Sequence, residues 1–120
     1  MVPKKKEQMK LQSLLADLGE ADMAGIQSIE QFKSYLRCCL KEGKTLNEIA
    51  GIETKEQYAM IYARYRKLMH GSPIRGGDGL DLIRYDGHPS RGAGLQKPIV
   101  LTSKGRALKE AIIKNGQNNH

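Results

Sequence analysis

Polar side chains in residues 54–67 have the types and the spacing to hydrogen-bond with the base edges and phosphates of a nucleic acid. The amide of Gln57 offers a donor beside an acceptor, which matches adenine in a major groove, and Lys55 reaches guanine acceptors or phosphate. Arg64 and Lys67 lie further along, where they suit phosphates that position a protein without reading sequence. The candidate contacts in this segment are Thr54, Lys55, Gln57, Met60, Arg64 and Lys67.

A second set of candidate contacts lies outside that segment. Lys44 and Thr45 precede a short predicted helix, whose amide-rich N-terminus would favour a phosphate. A predicted β-hairpin carries basic and polar residues suited to the DNA backbone or minor groove, although a charged hairpin also serves simply to discourage strand pairing. The candidates on the hairpin are Arg84, His88, Ser90, Arg91 and Lys97.

Other kinds of site have little support in the sequence. Cys38 and Cys39 are adjacent, so on a helix they point about 100° apart, and the chain has no third cysteine. A buried small side chain beside a spectator is therefore favoured over a peroxide sensor. The three histidines are scattered, without the spacing of a zinc site, and no nucleophile stands at a recognisable spacing from a base. We predict no metal, no cofactor and no enzymatic activity.

The charge of the chain is divided unequally between its two halves. Residues 1–63 hold nine Lys or Arg and nine Asp or Glu, whereas residues 64–120 hold eleven basic residues against four acidic ones. The formal net charge of +7 therefore lies entirely in the second half. A basic surface can simply aid solubility, but its segregation to one half favours a polyanionic partner.

Three capping boxes divide residues 28–70 into helices. Ser28, Thr45 and Thr54 each precede a Gln or Glu by three residues, so hydroxyl and carboxamide or carboxylate can satisfy the first unpaired amides of a helix. Gly51 ends the middle helix, because glycine tolerates a positive φ where the chain turns. The apolar residues expected to face the core are Ile29, Phe32, Leu36, Cys39 and Leu40 in the first helix and Tyr58, Ile61, Tyr62, Tyr65 and Leu68 in the third. Their spacing favours core packing of the tyrosines over stacking on bases.

The remaining segments flank these helices. Residues 4–18 carry apolar side chains at helical spacing, and the stop signal Gly19 follows them. Residues 72–79 contain a proline and three glycines, which indicates a loop. Short apolar runs at residues 82–85 and 98–101 predict two strands joined by a loop. Thr102 begins a last helix that we expect to end at residues 115–116.

A family resemblance is carried by residues 101–108, Leu-Thr-Ser-Lys-Gly-Arg-Ala-Leu. This run resembles the Leu-Thr-x-x-Gly-Arg-x-Leu junction that follows the wing in MarR-type winged-helix transcription regulators. Residues 45–50, Thr-Leu-Asn-Glu-Ile-Ala, are similar to the beginning of that family's helix-turn-helix. The resemblance covers roughly residues 28–114. It implies that Lys55, Gln57 and Met60 read the major groove and that Arg91 enters the minor groove.

These observations together predict a mainly α chain with a small β-hairpin, an α+β winged helix-turn-helix. Residues 1–27 are expected to form a helix for dimerisation or partner contact, residues 28–114 the DNA-binding domain, and residues 115–120 a disordered tail. No apolar run reaches the ~20 residues of a membrane span, and no apolar stretch follows the basic N-terminus. We therefore expect a cytoplasmic protein without membrane contact.

The expected function is sequence-specific regulation of transcription by a homodimer bound to double-stranded DNA. The recognition helix would lie in the major groove, and the basic wing would contact the minor groove and the backbone. The alternative is an interaction module of the same fold, phage-encoded ones among them, that docks on a transcription or replication complex. Whether a small-molecule effector binds is left open by the sequence.

Overall fold

The computed structural model describes residues 5–51, 54–69, 79–86 and 97–117. Within these residues the chain is mainly helical, with one antiparallel sheet of two strands. The elements are, in chain order, α1 (Lys5–Met23), α2 (Ile29–Leu40), α3 (Leu46–Ala50), α4 (Lys55–Leu68), β1 (Ile83–Tyr85), β2 (Ile99–Leu101) and α5 (Ser103–Gln117). The expected mainly α architecture with a small hairpin is confirmed. None of the helices in these ranges combines the length and the apolar character that crossing a lipid bilayer requires.

The predicted capping residues begin α3 and α4. The Thr45 hydroxyl accepts a hydrogen bond from the Glu48 amide at 3.4 Å, and the Glu48 carboxylate accepts one from the Thr45 amide at 3.3 Å. The Thr54 hydroxyl accepts from the Gln57 amide at 3.2 Å. Gly51 ends α3 with a φ of +67°, an angle that residues with a Cβ adopt only at a cost. The predicted break after α3 therefore begins at Gly51.

The face of α2 that its apolar spacing predicts is only partly turned inward, with Phe32, Leu36 and Cys39 packed half-buried against the core. The buried side chains of α2 are Ser34, Tyr35 and Cys38. At the ends of the predicted stripe, Ile29 is 74% exposed and Leu40 is 84% exposed, so for these two residues the prediction is wrong. The Tyr35 hydroxyl donates to the Gly105 carbonyl at 2.6 Å. A buried polar group with such a partner costs little, which lets an amphipathic tyrosine replace a purely apolar side chain in the core.

Helix α1 is longer than the sequence predicts, because it continues through Gly19 to Met23. Ala21, in its last turn, is 3% exposed and belongs to the core. This packing outweighs the ~1 kcal/mol by which glycine disfavours a helix interior. The predicted end at residue 18 is therefore wrong.

Helix α5 also extends further than expected, to Gln117. The Asn115 side chain donates to the Asp17 carboxylate of α1 at 3.1 Å, and α1 packs along α5. The helix thus includes residues 115–117, which the sequence assigned to a disordered tail. Residues 118–120 lie outside the described residues.

The hairpin joins the beginning of α3 through a third short segment. Strands β1 and β2 pair antiparallel, with Arg84 opposite Val100. On the other edge of β2, the Gly43 amide donates to the Ile99 carbonyl at 2.8 Å, and the Ile99 amide donates to the Lys44 carbonyl at 2.9 Å. Hairpin and α3 are therefore fixed to one another by backbone hydrogen bonds.

Backbone hydrogen bonds also join the end of α4 to the beginning of the hairpin. The Lys67 carbonyl accepts from the Leu80 amide at 3.0 Å, and the Leu68 carbonyl accepts from the Leu82 amide at 2.8 Å. These bonds satisfy carbonyls that a helix end leaves unpaired. The loop predicted at residues 72–79 lies outside the described residues except for Gly79, but both of its flanks are tied together.

The strand-to-helix junction brings α5 too close to Leu82, the residue before β1, for a side chain to fit at residue 105. A Cβ built on Gly105 would collide with the Leu82 carbonyl oxygen, so only glycine fits without a shift of the backbone. The Gly105 amide donates to the Thr102 hydroxyl at 3.0 Å, which caps α5 as predicted. Arg106 then extends to Glu42, with Nη2 2.7 Å from Oε2.

Candidate nucleic-acid interface

The outward face of α4 brings together most of the candidate contacts on that helix. Met60 is 61% exposed, Gln57 and Lys67 are exposed, and their spacing places them on the same side of the helix as Arg64. On the opposite side Tyr65 is 1% exposed and anchors the helix to the core. The predicted division of α4 into an inward apolar face and an outward polar face is confirmed for these side chains.

Part of the first turn of α4 already forms hydrogen bonds within the helix. Thr54 is exposed, but its hydroxyl already accepts from the Gln57 amide. Lys55 is the first residue of the helix, and its side chain lies outside what the structure describes. Glu56 is exposed beside them, so the turn mixes both signs of charge and is not a simple phosphate cradle.

Arg64 is paired within the chain. Its Nη1 atom lies 3.5 Å from Oε2 of Glu30, whose other oxygen lies 3.6 Å from Nζ of Lys33. The side chains of Arg64 and Glu30 are 30% and 54% exposed, and ion pairs in contact with water contribute about 1 kcal/mol or less. A phosphate can therefore compete with Glu30 for Arg64, since it offers the same charge-assisted hydrogen bonds.

Lys44 and Thr45 differ in how well they are placed to bind a phosphate. The amide and hydroxyl of Thr45 both donate to the Glu48 carboxylate, the hydroxyl at 3.0 Å. These bonds, the one from the backbone amide first, hold the pKa of the Glu48 carboxyl below its usual value. A carboxylate therefore already occupies the beginning of α3. The Lys44 side chain is exposed and is the better candidate of the two.

The hairpin candidates fall into three situations. Arg84 points outward from β1, and its Nη1 atom lies 3.9 Å from Oδ1 of Asp86, which leaves it accessible to a stronger anion. Lys97 is half-buried, and its ammonium group is enclosed without a hydrogen-bond partner among the described residues. A phosphate contact by Lys97 would require that group to turn outward. The remaining candidates lie outside the described residues: His88, Ser90 and Arg91.

Two acidic residues shape this surface although the sequence did not single them out. Glu30 holds Arg64, as described above. Glu42 accepts from the Leu101 amide at 2.9 Å as well as from Arg106, and so fixes the chain before α3 to the hairpin and to α5. The spacing of Glu30 and Lys33 on α2 signals a local pair, but the partners Arg64 and Arg106 are distant in sequence and no local pattern reveals them.

The two cysteines are packing residues in this fold. Cys38 is buried and Cys39 is half-buried, and neither forms a disulfide. Burial raises the pKa of the Cys38 thiol to about 12 and also raises that of Cys39, so both thiols are neutral and weakly nucleophilic near neutral pH. The prediction of one buried cysteine beside a less buried one is confirmed, but the fully buried one is Cys38, whereas the helical spacing placed Cys39 in the core. Within the described ranges, no cluster of three His, Cys, Asp or Glu side chains is arranged to hold a metal ion.

Comparison with known proteins gives no match: no family model matches the chain, and no curated protein or solved structure is significantly similar to it. The candidate interface offers non-covalent chemistry, with amide, thioether and cationic groups displayed along an exposed helix face. The apolar side of the same helix holds that face in place.

Proposed function

We propose that the chain is a sequence-specific, DNA-binding regulator of transcription with a winged helix-turn-helix fold, in which α4 is the recognition helix. The observation that carries the proposal is the outward face of α4, where Gln57, Met60 and Lys67 are exposed above a helix anchored by Tyr65. An α-helix presented in this way fits the width of a DNA major groove. In this proposal α3 is the supporting helix and the β1–β2 hairpin is the wing.

The backbone connections of the hairpin support a single binding surface. Residues 43–45 join the hairpin to α3, and the Leu80 and Leu82 amides join it to the end of α4. A wing attached at both places moves with the recognition helix as one body. Rigid support of this kind is what a recognition surface needs in order to hold its contacts in register.

The contacts of residues 101–108 support the family resemblance at the level of the fold. Gly105 is required by the approach of the Leu82 carbonyl, Thr102 caps the helix, and Arg106 is held by Glu42. Each of these residue types therefore has a structural reason to be where it is. The MarR-type assignment itself remains part of the proposal.

In the proposed mechanism, some residues bind the DNA backbone and others bind the edges of the bases. Lys67, Lys44, Arg84 and Arg64, the last after exchanging Glu30 for a phosphate, neutralise backbone charge and supply affinity that falls with salt. Gln57, together with Lys55, hydrogen-bonds to base edges and supplies sequence selection. Two α4 helices about 34 Å apart in a homodimer would then occupy successive turns of one pseudo-palindromic site.

The direct test is a pair of identical charge reversals on exposed helical lysines. Lys67→Glu changes the outward face of α4, and Lys114→Glu changes an exposed position on a different helix, α5. In fluorescence anisotropy at low salt, we expect wild type and Lys114→Glu to bind a random 25-base-pair duplex with similar affinity. Lys67→Glu should bind at least about tenfold more weakly, since it replaces a phosphate contact by repulsion. If wild type binds no duplex at low salt, or both variants lose affinity equally, the proposal fails.

A protein-interaction module is the second candidate function, and one observation favours it. Four leucines of α1 are exposed, and an apolar patch of this kind commonly marks a surface that another protein contacts. In that case α1 would contact a component of a transcription or replication complex. The absence of duplex binding together with a monomeric wild type would favour this second function.

A further inference from the structure

Glu56 lies at the centre of the outward face of α4. It precedes Tyr65 by nine residues, which is about two and a half turns of an α-helix. Tyr65 is 1% exposed and marks the inward side of the helix, so Glu56 lies on the opposite side, and its side chain is exposed. At intervals of four, three and four residues the outward line continues through Met60, Ala63 and Lys67, which are all exposed.

Glu56 is also free of the structural contacts that other glutamates make. Among the residues that the structure describes it has no hydrogen-bond or ion-pair partner, whereas Glu30, Glu42 and Glu48 are each held by one. A carboxylate in the first turn stabilises a helix from any side, because the helix dipole runs along the axis. That stabilisation therefore gives no reason for the outward position of Glu56.

A carboxylate at the centre of a DNA-binding face has few favourable partners. Phosphates repel it, and guanine and the O4 atom of thymine present acceptors to the major groove. The donors on the base edges in that groove are the amino groups of cytosine and adenine. A helix that carries Glu56 into the groove therefore loses affinity at most sequences and retains it where such an amino group meets the carboxylate.

Cytosine suits the carboxylate of Glu56 better than adenine does. The N6 amino group of adenine stands beside N7, an acceptor that repels the second carboxylate oxygen, whereas cytosine presents its N4 amino group without a neighbouring acceptor on the same base. A carboxamide such as that of Gln57 has the opposite preference, because its donor and acceptor match N7 and N6 of adenine. The two adjacent side chains thus suit different bases.

Met60 offers an apolar contact one turn further along the same line. It is 61% exposed, and the 5-methyl group of thymine is the apolar group that a base edge presents in the major groove. Four residues separate Met60 from Glu56, which is about 6 Å along the helix axis, and successive bases are about 3.4 Å apart. The two side chains can therefore contact bases that lie within two base pairs of one another.

We propose that Glu56 and Met60 are specificity-determining residues of α4. Glu56 accepts a hydrogen bond from the N4 amino group of a cytosine, and Met60 contacts the methyl group of a thymine within two base pairs of it. These contacts rest on the proposed function, because they require α4 to lie in a major groove. Glu56 also acts against other sequences, since without that amino group its charge is left unpaired among phosphates.

Selection of bound duplexes from a random pool at low salt tests the two contacts. The wild-type protein should enrich a sequence with a cytosine and a thymine within two base pairs of each other. Glu56→Gln should exchange the preference for cytosine for one for adenine, since a carboxamide pairs a donor with an acceptor, and Met60→Ala should lose the thymine alone. Glu110→Gln, which changes an exposed acid on α5, is the matched control and should enrich the wild-type sequence.

Affinities measured by fluorescence anisotropy separate base reading from charge. Glu56→Gln should bind a random duplex about threefold more tightly than wild type, because it removes a charge that phosphates repel. The ratio of its affinities for the wild-type sequence and a random duplex should fall about tenfold. Each variant changes an exposed side chain, so circular dichroism should show an unchanged helix content.

Replacing the selected thymine by uracil removes one methyl group from the duplex. Wild type should bind the uracil duplex about threefold more weakly, and Met60→Ala should bind both duplexes equally. A wild-type sequence without cytosine, a Glu56→Gln protein that still selects cytosine, or a Met60→Ala protein that still distinguishes thymine from uracil would overturn the inference and leave the proposed function standing. A wild type that binds no duplex, or enriches no sequence, would overturn both.

Discussion

At the scale of single residues, the carboxylate that pairs with Arg64 of α4 should affect DNA binding as much as the cations of α4 do. Arg64 lies 3.5 Å from Glu30, and Lys33 lies 3.6 Å from the same carboxylate. The Glu30 carboxylate lies close to the proposed phosphate contacts, so it repels the DNA backbone. Its ion pair with Arg64 must also break before Arg64 binds a phosphate. Glu30 is therefore expected to weaken duplex binding in the wild-type protein.

Removing that carboxylate should strengthen binding. Glu30→Gln keeps the shape of the side chain, removes one negative charge and releases two cations, so we expect about a threefold tighter dissociation constant for a duplex at low salt, in line with the small energies of exposed ion pairs. Fluorescence anisotropy measures it. Glu110→Gln, an exposed acid on α5, is the matched control and should leave affinity nearly unchanged. Equal gains from the two variants would show that only net charge matters.

Substitutions on α4 should affect base reading and phosphate binding separately. Gln57→Ala should reduce the ratio of affinities for selected and random duplexes about tenfold, because one bidentate base contact contributes about 1–3 kcal/mol of discrimination. Lys67→Ala should weaken both duplexes alike and reduce the slope of log affinity against log salt by about 1. Titrations of both duplexes at several salt concentrations measure the two effects. A Gln57→Ala protein with unchanged discrimination would remove Gln57 from the reading face.

At the scale of elements, the junction between β1 and α5 depends on one missing side chain. Gly105→Ala should lower the free energy of unfolding by about 2 kcal/mol or more, because a Cβ there meets the Leu82 carbonyl oxygen and the strand or the helix must shift. Gly116→Ala on the same helix has nothing within 4 Å of the added carbon and should be neutral or stabilising by up to about 1 kcal/mol. Urea unfolding compares the two. A neutral Gly105→Ala would mean that the junction is looser than described.

Some features of these elements can be predicted from the local sequence, and others cannot. The capping hydroxyls of Thr45 and Thr54 and the turn at Gly51 are local, and all three were predictable from residues within four positions. The end of α1 and the buried face of α2 depend on contacts with distant residues, such as Tyr35 with Gly105. The outward face of α4 followed from its own periodicity. The ion pair of Arg64 with Glu30 did not, because two separate helices create it.

At the scale of the whole molecule, two tyrosine hydroxyls and two cysteine thiols that stay neutral in the folded chain should make its stability sensitive to alkaline pH. Burial raises the pKa of Tyr35, Cys38, Cys39 and Tyr65, so each ionises at a lower pH in the unfolded chain than in the folded one. Their stabilising contribution is complete below the unfolded pKa values, near 8.5 for Cys and 10 for Tyr, and is lost as the pH rises above them.

The free energy of unfolding should therefore fall between pH 8 and pH 10.5. Each group that is ionised only in the unfolded chain contributes a slope of about 1.4 kcal/mol per pH unit. Urea unfolding at a fixed protein concentration measures the decline. Cys38→Ala removes the group whose pKa is raised to about 12 and should give a shallower slope, whatever its effect at pH 7. A stability that is constant or rising over this range would contradict the burial of these groups.

The whole molecule also separates its charge from its apolar surface. The net charge of +7 belongs to the half of the chain that contains the end of α4, the hairpin and α5, whereas the four exposed leucines of α1 belong to the half with no net charge. Such a division allows one surface to face a polyanion while another meets a second copy. Both features fit a dimer that presents two recognition helices together.

Whether α4 reads double-stranded DNA can be measured by selecting bound duplexes from a random pool. We expect enrichment of a sequence with two related half-sites whose centres lie about 10 base pairs apart, and loss of part of each half-site when the selection is repeated with Gln57→Ala. Enrichment of no sequence from the wild-type protein at low salt would contradict it.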